Sequence, residues 1–342
     1  MELKVLKTLA ELEEIGVEWN NLLIDSAIHV PFLRHEYMVS WWKTLGGGEW
    51  DHGDLYVMSY RSEDGTLKAI APFFYTKNLE GETALMLIGS MEISDYLDLI
   101  CPKEYLPEFI NAILDHLDNP DIPNWDILDL YNLLEESPTL PALSEAVRKR
   151  GWRFHQERIH PAPSLKLPNQ WEDYLGGIQK KQRHEIRRKL RRAENFFLPV
   201  RWYIVNEEAN FDAEFEDFLN LMAIDPQKKA FLTDPMRTQM RTASYAAFKA
   251  GWLQLSFLEV GSEKAAGYLN FDTLNRLWIY NSGIDFRFNP LSPGWVLLAY
   301  LIQWGIENGR ETLDFMRGNE DYKYRFGGVD RFVVRVQIWK EK

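Results

Sequence analysis

The amino-acid sequence predicts an α/β protein of two similar domains, each with a mixed, mostly antiparallel sheet flanked by helices. Its 342 residues correspond to about two domains of ordinary size, and 46% of them are hydrophobic, which suffices for two large cores. The order helix, helix, three strands, helix, strand is predicted in both halves. We therefore expect domains at residues 1–155 and 156–342, joined near 155–168 by the proline-rich link at His160–Pro163.

The first half begins with apolar residues at helical spacing, in which Leu9, Leu12, Ile15 and Trp19 share one face. Further helices are predicted after Pro31 as far as the glycines at 46–48, at 106–117 and at 140–151. Short apolar runs predict strands at 55–60, 67–75, 84–89, 96–100 and 125–131.

The second half repeats this order. Helices are predicted at 171–194, 212–222, 235–250 and 294–308, and strands at 253–260, 265–271, 276–282, 312–316 and 332–339. The segments 125–131 and 311–316 each follow a helix and place an acid after an apolar residue, Asp129 and Asp314. This correspondence indicates an internal duplication.

Charge is distributed unevenly between the halves. The net charge is −12, but residues 1–155 hold 12 Lys and Arg against 27 Asp and Glu, whereas residues 156–342 hold 27 against 24. The overall acidity argues against a general nucleic-acid binder, and so against a DNA partner. We expect an anionic ligand to bind in the second half.

Several classes of protein and site are excluded by composition. The single cysteine, Cys101, allows no intramolecular disulfide, and the seven histidines lack ligand spacing, so we expect no metal cofactor. No apolar run is long enough for a membrane span, and the N-terminus lacks the pattern of a signal peptide. We therefore expect a cytoplasmic protein. The sequence has no indication of oligomeric state.

A helix start at Ser292-Pro293-Gly294 is a candidate anion site. Serine suits the N-cap, proline the first helical position, and glycine would let a ligand approach the backbone closely. The free amides and positive dipole end of such a helix bind pyrophosphate readily. The alternative interpretation is an ordinary capped helix after a turn.

The charged stretch from Asp314 to Gly327 follows a predicted strand, a position where α/β proteins often build sites. Lys323 or Arg325 could neutralise charge that develops in a transition state, and a tyrosine here could donate a proton. The alternative is a solvated loop with two half-buried tyrosines.

Residues 180–192 form a basic amphipathic helix with eight Lys and Arg against one Glu. Lys181, Arg183 and Arg187 are predicted to contact phosphate groups. A site for a small anion, an RNA partner and contact with an anionic membrane leaflet all fit such a helix. The remaining alternative is a solvated face that pairs with the acidic first half.

The stretch Ser94–Asp98 places two carboxylates, Asp95 and Asp98, two positions apart around Tyr96. On a strand these carboxylates would share one face and could act as a general base. Acids in this setting also cap turns or form salt bridges.

Taken together, these segments resemble the CelD/BcsL-type acyltransferases of the GNAT superfamily and, more distantly, the FemAB peptidyltransferases. The resemblance rests on pieces spread over nearly the whole chain: Trp19, Pro31-Phe32, Trp41-Trp42, Ala71-Pro72-Phe73, Asp95–Asp98, Lys181–Arg188, Ser292–Gly294 and Asp314–Lys323. It implies two GNAT-like domains with a substrate groove between them and an acyl-CoA site in the second. In that superfamily the pantetheine lies between splayed strands and the pyrophosphate on the helix after the fourth strand.

The resemblance places acetyl-CoA, or another acyl-CoA, at about 280–297. The implied cofactor-binding residues are Tyr280, Asn281, Ser282, Arg287, Ser292, Gly294 and Trp295. The implied substrate-binding residues are Asp95, Tyr96, Asp98, Lys181, Arg183 and Arg187.

For catalysis, we expect Tyr322 or Tyr324 to protonate the departing thiolate, and Lys323 or Arg317 to stabilise the oxyanion. In FemAB-like proteins a lysine close to the position of Lys323 helps the transfer step. Asp314 and Glu320 would hold these cations or act as base for the nucleophile. The competing view is that Asp314 and Arg317 form a buried structural pair.

The usual GNAT loop, Arg/Gln-x-x-Gly-x-Gly/Ala, is replaced here by the segment Arg287–Gly294. The implied activity is transfer of an acetyl or acyl group to an amine or hydroxyl of a small molecule, a saccharide or a cell-envelope precursor. The alternatives are FemAB-like transfer from aminoacyl-tRNA, which the lack of a long heptad segment disfavours, and a non-catalytic scaffold.

Overall fold

In the computed structural model, which describes residues 1–340, the chain forms two compact units. Unit 1 comprises residues 1–161 and the C-terminal segment that begins at Phe332, and unit 2 comprises residues 162–331. The chain therefore passes between the units twice. The domain boundary expected from the sequence lay at 155/156, with the last strand in the second domain.

Unit 1 contains eleven elements that precede the link to unit 2. Its strands are β1 (Glu2–Leu6), β2 (Asp54–Arg61), β3 (Leu67–Lys77), β4 (Thr83–Leu87), β5 (Ile127–Leu134) and β6 (Arg153–Pro161). Its helices are α1 (Leu9–Glu14), α2 (Gly16–Asp25), α3 (His35–Gly48), α4 (Leu106–Asp118) and α5 (Thr139–Lys149). Helix α4 buries the apolar residues that recur at helical spacing, which are Leu106, Phe109, Ile110, Ile113, Leu114 and Leu117.

Unit 2 contains a second set of strands and helices. Its strands are β7 (Ser164–Lys166), β8 (Val200–Ile204), β9 (Leu253–Val260), β10 (Glu263–Thr273), β11 (Arg276–Ile284) and β12 (Thr312–Asp314). Its helices are α6 (Trp171–Gly177), α7 (Lys180–Glu194), α8 (Phe211–Met222), α9 (Pro226–Phe231), α10 (Asp234–Lys249), α11 (Pro293–Glu307) and α12 (Asp321–Arg325). Helix α11 is apolar on most sides and contributes many residues to the main hydrophobic core of the unit.

The two sheets share the order of their first five strands. In unit 1, β1 to β4 lie side by side as an antiparallel set, and α4 then leads to β5, which pairs with β4 in parallel. In unit 2, β8 to β11 form the corresponding antiparallel set, and α11 leads to β12, which pairs with β11 in parallel. The predicted class of two similar α/β units with mixed sheets is confirmed.

The last strand, β13 (Phe332–Trp339), lies between β5 and β6 in the sheet of unit 1, whose order is β1-β2-β3-β4-β5-β13-β6. It buries Val333, Val334, Val336 and Ile338 there. Its Arg335 donates two hydrogen bonds of 2.8 and 2.7 Å to the buried carboxylate of Asp129 in β5. The strand belongs to unit 1 because that sheet supplies both of its neighbours.

Local structure also departs from the sequence prediction in a few places. The helix predicted over 171–194 is two helices, because the chain is extended at Ile178 and Gln179 after Gly177 ends α6. The run 96–100 makes only one bridge, between Ile70 and Ile100. Strands β1, β6, β7 and β8 were not predicted, since their residues are largely exposed or half-buried and form no apolar run.

Within residues 1–340, no helix is both long and apolar enough to cross a membrane.

Candidate functional site

Strands β11 and β12 run together for only a short distance. Arg276–Trp278 pair in parallel with Thr312–Asp314, and β11 then continues to Ile284 without a strand on that side in the part of the chain described. The pairing of β10 with β11 is also irregular near Tyr280, where the register shifts by one residue. The far half of β11 therefore offers a strand edge along which a ligand could bind.

Helix α11 begins beside the end of β11. Ser292 is its N-cap in a left-handed conformation (φ 53°), and Pro293 occupies its first turn, as the sequence predicts. The serine hydroxyl does not cap the helix, however, because it accepts a 3.0 Å hydrogen bond from Lys189 Nζ. Among residues 1–340 the amides of Gly294 and Trp295 have no hydrogen-bond acceptor, so both can bind an anion.

Gly294 lies close to a side chain of β11. A Cβ at this position would lie 2.5 Å from Ile284 Cδ1, so a larger residue would require the Ile284 side chain to move. The carbonyl of Gly294 also accepts a hydrogen bond of 3.3 Å from the buried hydroxyl of Tyr268. Close approach of a ligand to the backbone of Gly294 stays a prediction.

The basic helix α7 brings two cations to the start of α11. Lys189 lies 4.4 Å from the centre of the Trp295 ring, and burial lowers the pKa of its ammonium group. Arg192 donates a 2.7 Å hydrogen bond to the carbonyl of Pro290, two residues before the N-cap. Sequence reasoning identified the basic helix but singled out other members of it.

The three residues of α7 that the sequence singled out do not contact the start of α11. Arg183 donates to the carbonyls of Leu175 and Gly176, and Arg187 forms a 2.5 Å ion pair with Glu172 of α6. Lys181 is exposed. The structure therefore does not bring Lys181, Arg183 or Arg187 to the start of α11, and their binding to a substrate stays a prediction.

Some of the residues predicted to bind a cofactor at β11 and after it already contact other residues of the protein. The ring of Tyr280 stacks on Phe271 at 5.3 Å. Arg287 donates to both Asp285 and Glu263, which raise the pKa of its guanidinium. Since Asp285 and Glu263 already neutralise Arg287, it is a weaker candidate for a phosphate than Lys189.

Lys228 of α9 is a half-buried cation that sequence reasoning missed. Its ammonium donates to the carbonyl of Ser282 and, at 3.3 Å, to Asn281 Oδ1. Burial lowers its pKa, and the charges of Asp225 and Glu320 oppose that shift. The Asp225-Pro226 pair, a good helix start, was the available indication, because Asp225 caps α9 through the amides of Gln227 and Lys228.

Asp314, at the end of β12, is fully buried and paired. Its carboxylate accepts from Arg331 at 2.5 Å, lies 3.6 Å from Arg276 and accepts from the amide of Met316 at 2.9 Å. The structure therefore assigns Asp314 a structural ion pair, with Arg331 as its hydrogen-bonding partner. This pairing favours an indirect role through the conformation of the loop that follows, and a direct role of Asp314 in catalysis stays a prediction.

Lys323 is buried and holds that loop from inside. Its Nζ donates to the carbonyls of Met316, Arg317 and Gly318, of which the shortest bond is 2.6 Å to Arg317. It also lies 3.0 Å from a carboxylate oxygen of Glu320. All of its donors are thus engaged, so Lys323 positions the loop in this conformation and offers no free N–H to an oxyanion.

The two candidate tyrosines differ in their surroundings. Tyr322 is largely buried against Phe315, and burial keeps the pKa of its phenol well above the usual value, so it stays protonated. Tyr324 is 37% exposed, and its hydroxyl donates a 2.8 Å hydrogen bond to Asp330. Tyr322 is the better placed proton donor, since no hydrogen bond to its hydroxyl is found among residues 1–340.

In unit 1 the stretch Asp95–Asp98 turns inward. Tyr96 is fully buried, with its ring 6.5 Å from that of Phe32. Asp98 is also fully buried and accepts 2.5 Å hydrogen bonds from the hydroxyls of Ser137 and Thr139. In this conformation neither side chain can touch a substrate, which leaves the half-buried Asp95 as the accessible member of the three.

Burial of Asp98 predicts a pH dependence of stability. Burial raises its pKa in the folded state to about 6, above the usual value of 3.8. The folded protein therefore prefers the protonated form, and its free energy of unfolding should fall by about 3 kcal/mol as the pH rises from about 4 to about 6. Urea denaturation of the wild type and of Asp98→Asn across this range tests it. The asparagine variant should lack this slope, and equal slopes would contradict the assignment.

A pocket of about 510 Å3 lies in unit 2 beside α12. Tyr324 and Arg325 of α12 line it, together with Gln179 and Gln182 at the start of α7 and Asp173 of α6. Its apolar lining residues include Leu165 and Leu167. A lining that combines apolar side chains with several polar groups is typical of small-molecule sites.

Comparisons with known proteins concern the fold and the family of the second unit. Residues 180–324 match the family model described as an acetyltransferase (GNAT) domain. FemX has a similar structure, with a TM-score of 0.69 at 10% identity over 100% of this chain and 98% of that chain. No curated protein sequence matches the chain significantly.

Two further solved structures share the fold. The C-terminal domain of a protein described as a lysylphosphatidylglycerol synthetase, from Agrobacterium fabrum, gives a TM-score of 0.56 at 11% identity over 96% of this chain and 92% of that chain. L-PGS from Bacillus licheniformis gives 0.54 at 13% identity over 95% and 91%. At such low identity these likenesses concern the fold alone.

The family-model match indicates that unit 2 contains a GNAT acetyltransferase-like domain, which extends over residues 180–324 from the start of α7 into α12.

Proposed function

We propose that the protein is an acyltransferase that takes an acetyl or other acyl group from coenzyme A and transfers it to an amine or hydroxyl. The observation that carries this proposal is the junction of β11 and α11. There an unpaired strand edge adjoins a helix start with two free amides, and Lys189 and Arg192 lie beside it. A strand edge suits the amide-rich pantetheine arm, and the cationic helix start suits a diphosphate.

The residues at the junction of β11 and α11 fit coenzyme A. The amides of Gly294 and Trp295 point to a binding role because they lack acceptors, and the indole N–H of Trp295 is also buried without an acceptor among the described residues. Lys189 would contribute a charge-assisted hydrogen bond to a phosphate oxygen. Coenzyme A would supply the acyl thioester, and the protein would bind and orient it.

Side chains of the protein would then transfer protons and stabilise the charge that develops during the reaction. Tyr322 is a neutral phenol without an acceptor, and it would donate its proton to the departing sulfur. Glu320, whose side chain is 56% exposed, is the accessible carboxylate and would accept a proton from the nucleophile. Arg317 remains the candidate for stabilising an oxyanion, because Lys323 is occupied by carbonyl oxygens.

The acceptor would bind next to α12, where the 510 Å3 pocket begins at Tyr324 and Arg325. Its mixed lining suits a small molecule with an apolar part and several hydroxyl or amide groups. A saccharide or a cell-envelope precursor fits this description. The resemblance to CelD/BcsL-type acyltransferases supports the same substrate class.

A second candidate function is FemAB-like aminoacyl transfer. The observation that favours it is the similarity of FemX and L-PGS to this protein over nearly the whole chain. The basic helix α7 would then contact a nucleic acid instead of a single diphosphate. The third possibility is a non-catalytic scaffold that has this fold but binds no acyl donor.

Isothermal titration with acetyl-CoA tests the proposal and separates these functions. We expect saturable binding that Lys189→Met weakens at least tenfold, because methionine keeps the packing on Trp295 but removes the charge-assisted hydrogen bond. Lys229→Met, at an exposed position of α9, is the matched control and should leave the affinity unchanged. No binding by the wild type at millimolar acetyl-CoA would contradict the proposal, and binding of aminoacyl-tRNA would then favour the second function over a scaffold.

A further inference from the structure

The outward face of α7 carries a stripe of three cations, Lys181, Arg188 and Arg191, with His184 among them. Lys181, His184, Arg188 and Arg191 are exposed and recur at intervals of three, four and three residues, which is one side of a helix. The stripe is about 15 Å long, since each helical residue advances about 1.5 Å. It is distinct from the side of α7 that carries Lys189 toward α11.

The charge of this stripe is little compensated within the protein. Arg188 pairs with Glu185 at 2.7 Å, but Lys181 and Arg191 form no ion pair with a carboxylate in residues 1–340. Arg191 instead donates to the carbonyl of Arg187 in its own helix. Glu194, at the end of α7, is the next acidic residue after Arg191 in the chain.

The stripe ends at an exposed apolar tip. In the loop after α7, Phe197 is 82% exposed and Leu198 is 39% exposed. Phe196 anchors this loop, because it packs against a small core of Val260 and Leu291 while its ring lies 4.5 Å from that of Phe197. Phe197 is therefore held outward by a half-buried neighbour.

We propose that the stripe and the tip together bind a membrane surface that carries anionic lipids. A cationic helix face attracts the headgroups, and an apolar tip at its end gains free energy by entering the acyl boundary. Leu198 favours a membrane over RNA, because an aliphatic side chain has no face on which a base can stack. The helix would lie along the surface with Phe197 inserted.

Sedimentation of the full chain with vesicles tests this proposal. We expect binding to vesicles of phosphatidylcholine with 30% phosphatidylglycerol, weak binding to pure phosphatidylcholine and weaker binding at high salt. Phe197→Ser should lower the affinity about tenfold and Arg191→Glu at least fivefold, whereas Phe197→Leu should stay within about twofold of the wild type.

Matched controls come from the same unit. Leu274→Ser removes another exposed apolar side chain, and Lys229→Glu makes the same charge change elsewhere, so both should bind like the wild type. Equal binding to neutral and anionic vesicles, or equal effects of the controls, would overturn the proposal. An RNA site would instead be indicated if the protein bound a tRNA pool but no vesicles, and if Phe197→Leu bound tRNA as poorly as Phe197→Ser. That result would also overturn the proposal.

Discussion

Asp314→Asn is expected to lower the free energy of unfolding by about 3 kcal/mol, because it leaves the guanidinium of Arg331 without its anionic partner inside unit 2. The substitution also weakens the hydrogen bond that the amide of Met316 donates, which shapes the start of the following loop. Urea denaturation followed by tryptophan fluorescence measures the change.

The matched control is Asp212→Asn. Asp212 forms a 2.5 Å ion pair with Arg241, but both side chains are more than half exposed, so its loss should cost less than about 1 kcal/mol. If Asp314→Asn instead unfolds like the wild type and loses only activity, then Asp314 acts directly in the reaction and the structural interpretation is wrong.

Tyr322→Phe is expected to reduce turnover by roughly ten- to a thousandfold while stability stays unchanged. The substitution removes a single oxygen that has no acceptor among residues 1–340, so folding loses no hydrogen bond. The reaction would lose its general acid, whose contribution is typically of this size. Single-turnover kinetics with acetyl-CoA and an amine acceptor, beside a thermal melt, measures both effects.

Tyr324→Phe serves as the comparison for this experiment. Its hydroxyl is already bound to Asp330 and its side chain is partly exposed, so we expect turnover close to that of the wild type. A larger loss of turnover in Tyr324→Phe than in Tyr322→Phe would exchange the roles of the two tyrosines. Loss of stability in Tyr322→Phe would mean that its hydroxyl is structural.

Lys323 shows why a residue type is not enough to assign a role. The sequence places a lysine among acids and tyrosines just after a strand, a pattern that fits stabilisation of an oxyanion. In the structure the same ammonium group is buried under three carbonyls of its own loop. Burial and hydrogen-bond partners decide between these roles, and both depend on how the loop from Met316 to Gly318 turns back over the helix.

Much of the architecture follows from the sequence alone, because it depends on local pattern. Apolar periodicity predicts α4, α7 and α11, and the Ser292-Pro293 pair predicts where α11 begins. The two acids Asp129 and Asp314 occupy corresponding places, since each lies in the strand that joins its sheet in parallel. These features need only the spacing of residues within one element.

The tertiary structure alone decides which distant residues meet. Strand β13 joins unit 1 because β5 and β6 supply its two neighbours, and its own alternating pattern would suit either sheet. Lys189 reaches Ser292 across 103 positions of sequence, and Lys228 reaches Ser282 across 54. Tyr96 and Asp98 are polar residues in a short segment, yet packing and hydroxyl partners hold both of them inside. Sequence spacing predicts the face of a helix or strand on which a side chain lies, but its neighbours depend on the packing of elements that are far apart in the chain.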